Sequence, residues 1–440
     1  MRSIPSTKGG TLAGGYVALV DVNNFYVSCE RLFRPDLQTR PMVVLSNNDG
    51  CIISRSEEAK EMGVGMGAAF HEVRGLLEKN RVVVFSSNYP LYGDMSGRVI
   101  SVLHDFTPFL EVYSIDESFL DMTGFNDLVA HGRRIRDRVL QWTGLPVCVG
   151  IGRTKTLAKI ANRLAKQRLR ENPESDGVML IPDENDDILA DLPVTKIWGI
   201  SKGFGRQLAE LGISTALDLK RANPKMVRSR MNVVAERIVH ELNNIPCMAL
   251  EMALPDRKQV MVSRSFSRRV YAHEEMKEAV STYVTRGGEK LREQQLVASG
   301  LNVFIRTSPF DKENFYSSNH SICFPEAHCD TIRMIRAAFH CLARIYRPGY
   351  IYQKVGVQLF GLEKEGHIQR DLFLSGPEEE KSRMRNRALM AAIDSLNGTW
   401  GGNTVGFASS GIRRSWAMNQ KLLSPRYTTR WSDIRRISAR

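Results

Sequence analysis

Two adjacent acids inside an apolar, β-prone run constrain the fold of this 440-residue chain more than any other feature. The run is YSIDESFLD, residues 113–121, and the acids are Asp116 and Glu117. Successive side chains of a regular strand point to opposite faces, so one carboxylate would face the layer that covers the sheet. An unpaired carboxylate buried there is costly or takes up a proton. The run is therefore either an exposed edge or a hairpin with a positive group beside both acids.

The pattern around this run favours the hairpin. From residue 16 to about 166, apolar runs and helical segments follow the order β–α–β–β–α–β, with LEVYSI and ESFLDM as the paired central strands. A block at roughly 36–90 is inserted after the first helix and contains its own hairpin, RPMVVLSNNDGCIISR. Residues 181–250 are mostly helical, and residues 261–362 repeat the β–α–β–β–α–β order. The sequence therefore predicts an α+β protein of several domains.

A third acid, Asp21, ends the first predicted strand. In a β–α–β–β–α–β sheet this strand lies beside the central hairpin, so a turn at Asp116 and Glu117 would bring three carboxylates together. Such a group cannot stay fully ionised without a cation, and hard oxygen ligands suit Mg²⁺. Two ions about 3.5–4 Å apart would serve an in-line phosphoryl transfer. The alternative is three surface acids on unrelated strand ends.

The net charge of +13 favours a polyanionic partner, nucleic acid before membrane. Residues 381–440 hold twelve Lys/Arg against two Asp/Glu, so most of the excess lies there. Seven widely spaced cysteines without a CxxC pair indicate reduced thiols and a cytoplasmic location. We find no apolar run long enough for a membrane span and no signal peptide, so we expect no membrane partner.

Three segments carry a family resemblance: DVNNFYVSCE (21–30), YSIDESFLD (113–121) and GIGRTKTLAKIANRLAK (150–166). They resemble the signatures of the Y-family translesion DNA polymerases and occur in family order. NVFIRTSPF and LLSPRYTTRWSDI, further along the chain, are similar to the UmuC subfamily, the catalytic subunits of bacterial DNA polymerase V. The resemblance implies error-prone, DNA-directed DNA synthesis in SOS-type damage tolerance and mutagenesis. A non-catalytic DNA-binding scaffold and a nucleotide cyclase are the alternatives.

The resemblance also implies a right-hand polymerase with a ferredoxin-like palm, small fingers, a helical thumb and a β–α–β–β–α–β little finger. The expected bounds are 1–14 for a disordered extension, 15–35 and 90–180 for the palm, 36–89 for the fingers, 181–250 for the thumb, 251–260 for a linker, 261–362 for the little finger and 363–440 for a partner-binding tail.

The family's catalytic roles transfer where the residues match. Asp21, Asp116 and Glu117 resemble its metal-binding acids, with the carbonyl of Val22 as a further ligand of two Mg²⁺ ions. Lys159, in the helix that begins near the glycines of GIG, resembles the lysine that binds the incoming triphosphate. A point charge there would stabilise the departing pyrophosphate.

The nucleotide-binding residues follow from the same resemblance. Phe25 and Tyr26 match the position of the sugar contact, with Tyr26 as the steric gate. An aromatic ring packed under the sugar leaves no room for a 2′-OH, although a core aromatic on an amphipathic helix is the alternative. Ser54 and Lys60 match phosphate contacts in the fingers. Glu57 departs from the family, in which some members have a tyrosine there, so no phosphate contact is transferred to it.

Two further surfaces are predicted to bind macromolecules. Arg264, Arg268 and Arg269 lie on and after a strand whose alternation puts Arg264 and Arg268 on one face, which suits DNA backbone contact, or else an ordinary solvated face. QRDLF (369–373) resembles a clamp-binding peptide whose contacts would be Gln369, Leu372 and Phe373.

The resemblance implies primer–template DNA and dNTP as substrates, and a UmuD′-like dimer, RecA and the β sliding clamp as partners. The basic tail leaves two interpretations open. Its aromatic residues and arginines would suit a DNA-binding arm, whereas its glycine-rich, apolar NGTWGGNTVGF suits a segment that folds against a partner. The resemblance favours the second.

Overall fold

The computed structural model describes residues 15–253, 256–367, 377–412 and 414–434. The chain divides into two compact units: unit 1 comprises Met1–Leu254 and Lys421–Arg440, and unit 2 comprises Pro255–Gln420. A bilayer-spanning helix is not found within the described ranges. The predicted extension at 1–14 and the clamp motif of Gln369, Leu372 and Phe373 lie outside the described residues.

Unit 1 is an α+β assembly. In chain order its strands are β1 (Val17–Val22), β2 (Met42–Leu45), β3 (Ile52–Arg55), β4 (Val83–Ser86), β5 (Leu110–Val112), β6 (Glu117–Asp121), β7 (Val147–Gly152) and β8 (Val178–Leu180). Its helices are α1 (Phe25–Phe33), α2 (Glu57–Glu61), α3 (Phe70–Lys79), α4 (Tyr89–His104), α5 (Leu128–Thr143), α6 (Lys155–Glu171), α7 (Asp186–Ala190), α8 (Lys202–Glu210), α9 (Ala216–Arg221), α10 (Pro224–Arg230) and α11 (Val233–Leu242).

A five-stranded sheet in the order β5-β6-β1-β7-β8 forms the centre of unit 1. All six residues of β1 are buried, and the strand pairs antiparallel with both β6 and β7. The predicted adjacency of the first strand and the central hairpin is therefore observed. β8, which pairs parallel with β7, was not predicted, because a three-residue strand carries little periodicity.

The inserted block forms a second, three-stranded sheet in the order β3-β2-β4. β2 and β3 are the predicted antiparallel hairpin, and β4 adds in parallel to β2 at the other side. The predicted helical region that follows the large sheet contains α7–α11, whose apolar side chains share a core with α6.

Helix α6 packs unusually closely on β7 because Gly150 and Gly152 have no side chain between the strand and the helix. A Cβ atom on Gly150 would lie 2.0 Å from the backbone nitrogen of Asn162 and 2.4 Å from the carbonyl oxygen of Ala158. The side-chain amide of Asn162 donates to the carbonyls of Leu19 (3.2 Å) and Cys148 (2.8 Å), which fixes α6 to β1 and β7. The face of α6 is thereby held in one position against the sheet.

Unit 2 repeats the β–α–β–β–α–β order predicted for it. Its elements are β9 (Gln259–Val270), α12 (His273–Glu293), β10 (Leu296–Thr307), β11 (Ser317–His328), α13 (Thr331–Ile345), β12 (Tyr352–Lys364) and a further helix, α14 (Pro377–Trp400). The four strands pair antiparallel in the order β11-β10-β12-β9, and α12 and α13 share the apolar core of the sheet.

The described part of the predicted tail folds against its own chain. In unit 2, Asp394 of α14 pairs with Arg292 at 2.6 Å, and Trp416 is 3% exposed in the core. In unit 1, the aromatic ring of Tyr427 stacks on Phe33 of α1 with centroids 4.6 Å apart. The tail therefore has intramolecular contacts that its polar, basic sequence did not indicate.

Candidate active site

The three predicted acids lie at one end of the large sheet. Asp21 and Glu117 are opposite each other in the β1–β6 pairing, and the amide of Val22 donates to the carbonyl of Asp116 at 2.9 Å. The turn depends on Ser114, whose hydroxyl accepts from the amides of Asp116 (3.3 Å) and Glu117 (3.1 Å) and donates to the Asp116 carboxylate (2.6 Å). The run YSIDESFLD, residues 113–121, therefore contains a hairpin turn at its two acids.

The positive groups that the hairpin requires come from α6. Lys159 donates to both carboxylate oxygens of Glu117, at 2.9 and 3.1 Å, and the ammonium of Lys166 lies 2.6 Å from Asp21 Oδ1. Lys166 was not predicted, although its spacing of seven residues from Lys159 puts both on one helix face. Close packing of α6 on the sheet brings both ammonium groups to the acids.

Burial and neighbouring charge both act on Asp21, which is 9% exposed. Burial raises its pKa to about 6 against the opposing effect of Lys166, and the charges of Glu117 and Asp116 add to the rise. A buried carboxylate beside two others favours additional positive charge. The site therefore has the electrostatics of a cation-binding centre.

The donor set fits Mg²⁺, because the acids and the carbonyl of Val22, at the end of β1, supply only oxygen ligands. Within the described ranges, no three His, Cys, Asp or Glu side chains are gathered closely enough to hold a metal ion as they stand. The carboxylates of Asp21 and Glu117 are instead turned to separate lysines. This differs from the expected direct convergence of the three acids.

Lys159 is held by aromatic rings as well as by Glu117. Its ammonium lies 4.3 Å from the ring centroid of Tyr113 and 5.0 Å from that of Trp198. Contacts of this kind stabilise a cation while leaving its hydrogen-bond donors available. Trp198 was missed because it lies far along the chain in the helical region, where no local pattern points to the acids.

Tyr26 lies partly buried on α1 beside the acids. Burial raises the pKa of the Tyr26 phenol to about 12, and the charges of Tyr89 and Asp116 add to the rise. The Tyr26 ring stacks on Tyr92 of α4, with centroids 4.5 Å apart and planes 18° apart. Phe25 is 3% exposed and contacts both rings from the core side. The Tyr26 ring thus packs against the rings of Phe25 and Tyr92, and these form the aromatic wall behind it.

The predicted finger residues meet α1 at its first turn. Lys60 donates to the Asn24 side chain at 2.6 Å and to Glu57 at 2.7 Å, and the Ser54 hydroxyl donates to the Asn24 carbonyl at 3.4 Å. Glu57 also pairs with Arg170 of α6 at 3.1 Å. Glu57, which departs from the family pattern, therefore lies between the side chains of Lys60 and Arg170.

The predicted DNA-binding arginines all belong to β9 in unit 2. Arg268 forms an ion pair with Glu275 of α12, and Arg264 lies close enough to Tyr283 of α12 to influence its pKa. Arg264 pairs with the buried Val355 and Arg268 bonds Glu275, so both lie toward α12. β9 shifts register between Ser265 and Val270, so the predicted alternation does not continue from Arg264 to Arg268. Arg269, like the other two, is solvent-exposed. A DNA contact of these residues stays a prediction.

Comparison with protein families gives three matches along the chain. Residues 20–163 match the impB/mucB/samB family, and residues 257–372 match the C-terminal domain of that family. Residues 387–437 match a domain of unknown function, DUF4113.

Curated relatives match over nearly the full length. The chain is 43% identical to Protein UmuC of Salmonella typhimurium strain LT2, over 96% of this chain and 99% of the relative, and 42% identical to Protein SamB of Salmonella typhimurium, over 95% and 98%. DNA polymerase IV of Pelotomaculum thermopropionicum is 26% identical over 88% and 94%.

Among solved structures, the Y-family DNA polymerase chimera Dbh-Dpo4(243-245)-Dbh matches with a TM-score of 0.61. The match covers 79% of this chain and 98% of the chimera at 20% identity, so the two share a fold.

Proposed function

The chain belongs to the impB/mucB/samB family of Y-family DNA polymerases and is an error-prone translesion DNA polymerase, and we propose that nucleotidyl transfer takes place where β1 ends and β6 begins. The 3′-OH of a primer attacks the α-phosphate of a dNTP, and pyrophosphate leaves. The observation that carries this proposal is the cluster of Asp21, Asp116 and Glu117 with two lysines beside it.

Asp21, Asp116, Glu117 and the carbonyl of Val22 would hold two Mg²⁺ ions. When bound, such ions stabilise the attacking and leaving oxygens of the transfer. The raised pKa of Asp21 supports this, because a buried acid beside two others gains most from an added cation. Lys159 would exchange its ion pair with Glu117 for the triphosphate of the incoming nucleotide.

The sugar and phosphates would contact α1 and the inserted block. Tyr26, stacked on Tyr92, would exclude a ribose 2′-OH, because a ring backed by another ring cannot move aside cheaply. Phe25 would support this wall from the core. Lys60 and Ser54 would contact phosphate, with Glu57 keeping Lys60 in place between nucleotides.

Primer–template DNA and dNTP are the substrates that this activity requires. We further propose a UmuD′-like dimer, RecA and the β sliding clamp as partners, the clamp through Gln369, Leu372 and Phe373. Arg264, Arg268 and Arg269 would contact the DNA backbone, and the protein would work in the cytoplasm. The resemblance of the tail to UmuC-type sequences supports the UmuD′-like dimer and RecA, and the resemblance of QRDLF to a clamp-binding peptide supports the clamp.

Primer extension with Mg²⁺ tests the active site. We expect Asp116→Asn or Glu117→Gln to reduce single-nucleotide insertion about a hundred- to a thousandfold, the usual loss for one transition-state-stabilising group, with DNA affinity in anisotropy measurements nearly unchanged. Asp121→Asn is the matched control: Asp121 ends the same strand, and among the described residues its carboxylate accepts hydrogen bonds from Thr123 alone. Wild-type turnover in either acid variant would refute the proposed site.

A further inference from the structure

Residues 422–427, here called the docking segment, bind along the edge of the three-stranded sheet in unit 1. The amide of Ser86 donates to the carbonyl of Leu422 at 2.9 Å, the amide of Leu422 donates to the Ser86 hydroxyl at 3.0 Å, and Leu423 pairs in parallel with Ser86. Strand addition of this kind satisfies the backbone groups that an edge strand leaves open. The docking segment is therefore an ordered part of unit 1.

Ser424 is the centre of this contact and is 5% exposed. The side-chain amide of Asn88, which is fully buried, donates to the hydroxyl of Ser424 at 2.9 Å and to the carbonyls of Ser424 (3.1 Å) and Pro425 (3.2 Å). The Ser424 hydroxyl in turn donates to Glu30 Oε1 at 2.9 Å. The segment thus inserts a hydroxyl into the interior of unit 1.

Glu30 connects this hydroxyl to α4. It is fully buried, and its Oε1 atom also accepts from the phenol of Tyr92 at 2.7 Å. Glu30 Oε1 therefore accepts one hydrogen bond from Ser424 of the docking segment and another from Tyr92. In a buried network of this kind, loss of one donor changes the position of the others.

The remaining link is the stack between Tyr92 and Tyr26, with ring centroids 4.5 Å apart. We propose that Ser424 and Glu30 are positioning residues for sugar selection, which hold Tyr92 as the rigid backing of the Tyr26 ring. The docking segment thereby completes the steric gate from behind. This inference rests on the gate role given to Tyr26 in the proposed function, and it assigns a task to part of the domain of unknown function at 387–437.

The proposal explains why a C-terminal serine is buried beside α1. A gate excludes a 2′-OH only as far as the ring resists displacement, and that resistance comes from the packing behind the ring. Tyr92 is fully buried, so the Ser424–Glu30–Tyr92 hydrogen bonds fix its position without contact to nucleotide. Weakening these hydrogen bonds should increase the incorporation of ribonucleotides, whose 2′-OH meets the Tyr26 ring, more than that of deoxyribonucleotides.

The test compares Ser424→Ala with Ser432→Ala in the full-length chain. Ser432 is exposed, lies in the same C-terminal region and donates to Asp433, so it is a matched control. We expect Ser424→Ala to raise the ratio of rNTP to dNTP incorporation, measured as kcat/KM, about two- to tenfold, the effect of one lost hydrogen bond. Ser432→Ala should leave the ratio unchanged. A purely structural loss lowers both rates together and does not move the ratio.

One further variant keeps the proposal testable if Ser424→Ala folds poorly. Tyr92→Phe removes the hydroxyl that donates to Glu30 but retains the stacked ring, and it should also raise the ratio of rNTP to dNTP incorporation. In a Tyr26→Ala background, Ser424→Ala should add nothing, because the ring through which it acts is absent.

The outcomes separate the two proposals. If Tyr26→Ala itself leaves the ratio unchanged, the gate role fails, and this inference fails with it. If Tyr26→Ala admits ribonucleotides but Ser424→Ala and Tyr92→Phe both keep the wild-type ratio, only the positioning role is overturned. An equal further increase from Ser424→Ala in the Tyr26→Ala background would also overturn it.

Discussion

Asp21 and Glu30 are both buried acids of unit 1, yet their surroundings differ. Asp21 has an ammonium group 2.6 Å away and two acids nearby, whereas the donors to Glu30 Oε1 are the hydroxyls of Tyr92 and Ser424. Glu30 Oε2 is buried without a hydrogen-bond partner among the described residues. Burial raises the pKa of Glu30 to about 7, and the hydrogen bonds and the charge of Arg34 lower it less than burial raises it. Asp21 is suited to a cation, and Glu30 to a proton.

The raised pKa of Glu30 predicts a pH-dependent stability. Between its ordinary value of 4.5 and about 7, the folded chain holds the proton more tightly than the unfolded chain, so the free energy of unfolding falls as pH rises. The slope from this residue approaches about 1.4 kcal/mol per pH unit. Glu30→Gln should remove it. Urea unfolding at several pH values measures the slope, and an identical slope in wild type and Glu30→Gln would contradict the assignment.

At the residue scale, the sequence indicated part of the site and could not indicate the rest. The hairpin acids are visible because carboxylates in an apolar strand need a cation, and Lys166 is recoverable from its helical spacing to Lys159. Ser424 and Glu30 are 394 residues apart, and no local periodicity relates them. Contacts at that separation depend on how the tail folds back, which the sequence pattern did not show.

At the scale of elements, the packing of α6 on β7 decides where the lysines of the site lie. Short distances from Gly150 to the α6 backbone leave no space for a side chain. The order of elements was predictable in both units because long periodic segments dominate it. The strands β4 and β8, with four and three residues, were missed because such short runs carry little signal.

Gly150→Ala should therefore separate α6 from the sheet. We expect a loss of about 3 kcal/mol or more in the free energy of unfolding, because the added methyl group meets backbone atoms that cannot rotate away. Primer extension should fall as well, since Lys159 and Lys166 move with the helix. Gly97→Ala in α4 is the control: it has open space around it and should gain up to about 1 kcal/mol. Equal effects of the two substitutions in urea unfolding would refute this account.

At the scale of the whole molecule, the basic C-terminal region belongs to both units. Its net charge suggested a surface that meets DNA or a partner, yet Trp416 lies in the core of unit 2 between Phe266 and Tyr283. Its indole nitrogen donates to Glu278 at 3.2 Å. A chain ending at residue 380 would therefore lose part of the core of unit 2 and the docking segment of unit 1, so removing the tail alters more than partner binding.

Trp416→Ala should destabilise unit 2 by about 3–5 kcal/mol, the usual cost of truncating a buried aromatic side chain. Trp400→Ala is the matched control, because Trp400 ends α14 with its side chain 74% exposed, and its removal should change stability by less than about 0.5 kcal/mol. Urea unfolding followed by circular dichroism measures both. Similar midpoints for the two variants would show that Trp416 does not stabilise the core of unit 2.

The position of the docking segment near the end of the chain also sets the order in which parts of unit 1 fold. Chains fold from the N-terminal end during synthesis, so α1, α4 and the three acids can assemble while residues 422–427 are still untranslated. Until then, Glu30 can accept from the Tyr92 hydroxyl but has no hydrogen bond from Ser424. A premature stop codon just before Lys421 would yield a molecule with the three proposed metal-binding acids but without the hydrogen bond from Ser424 to Glu30.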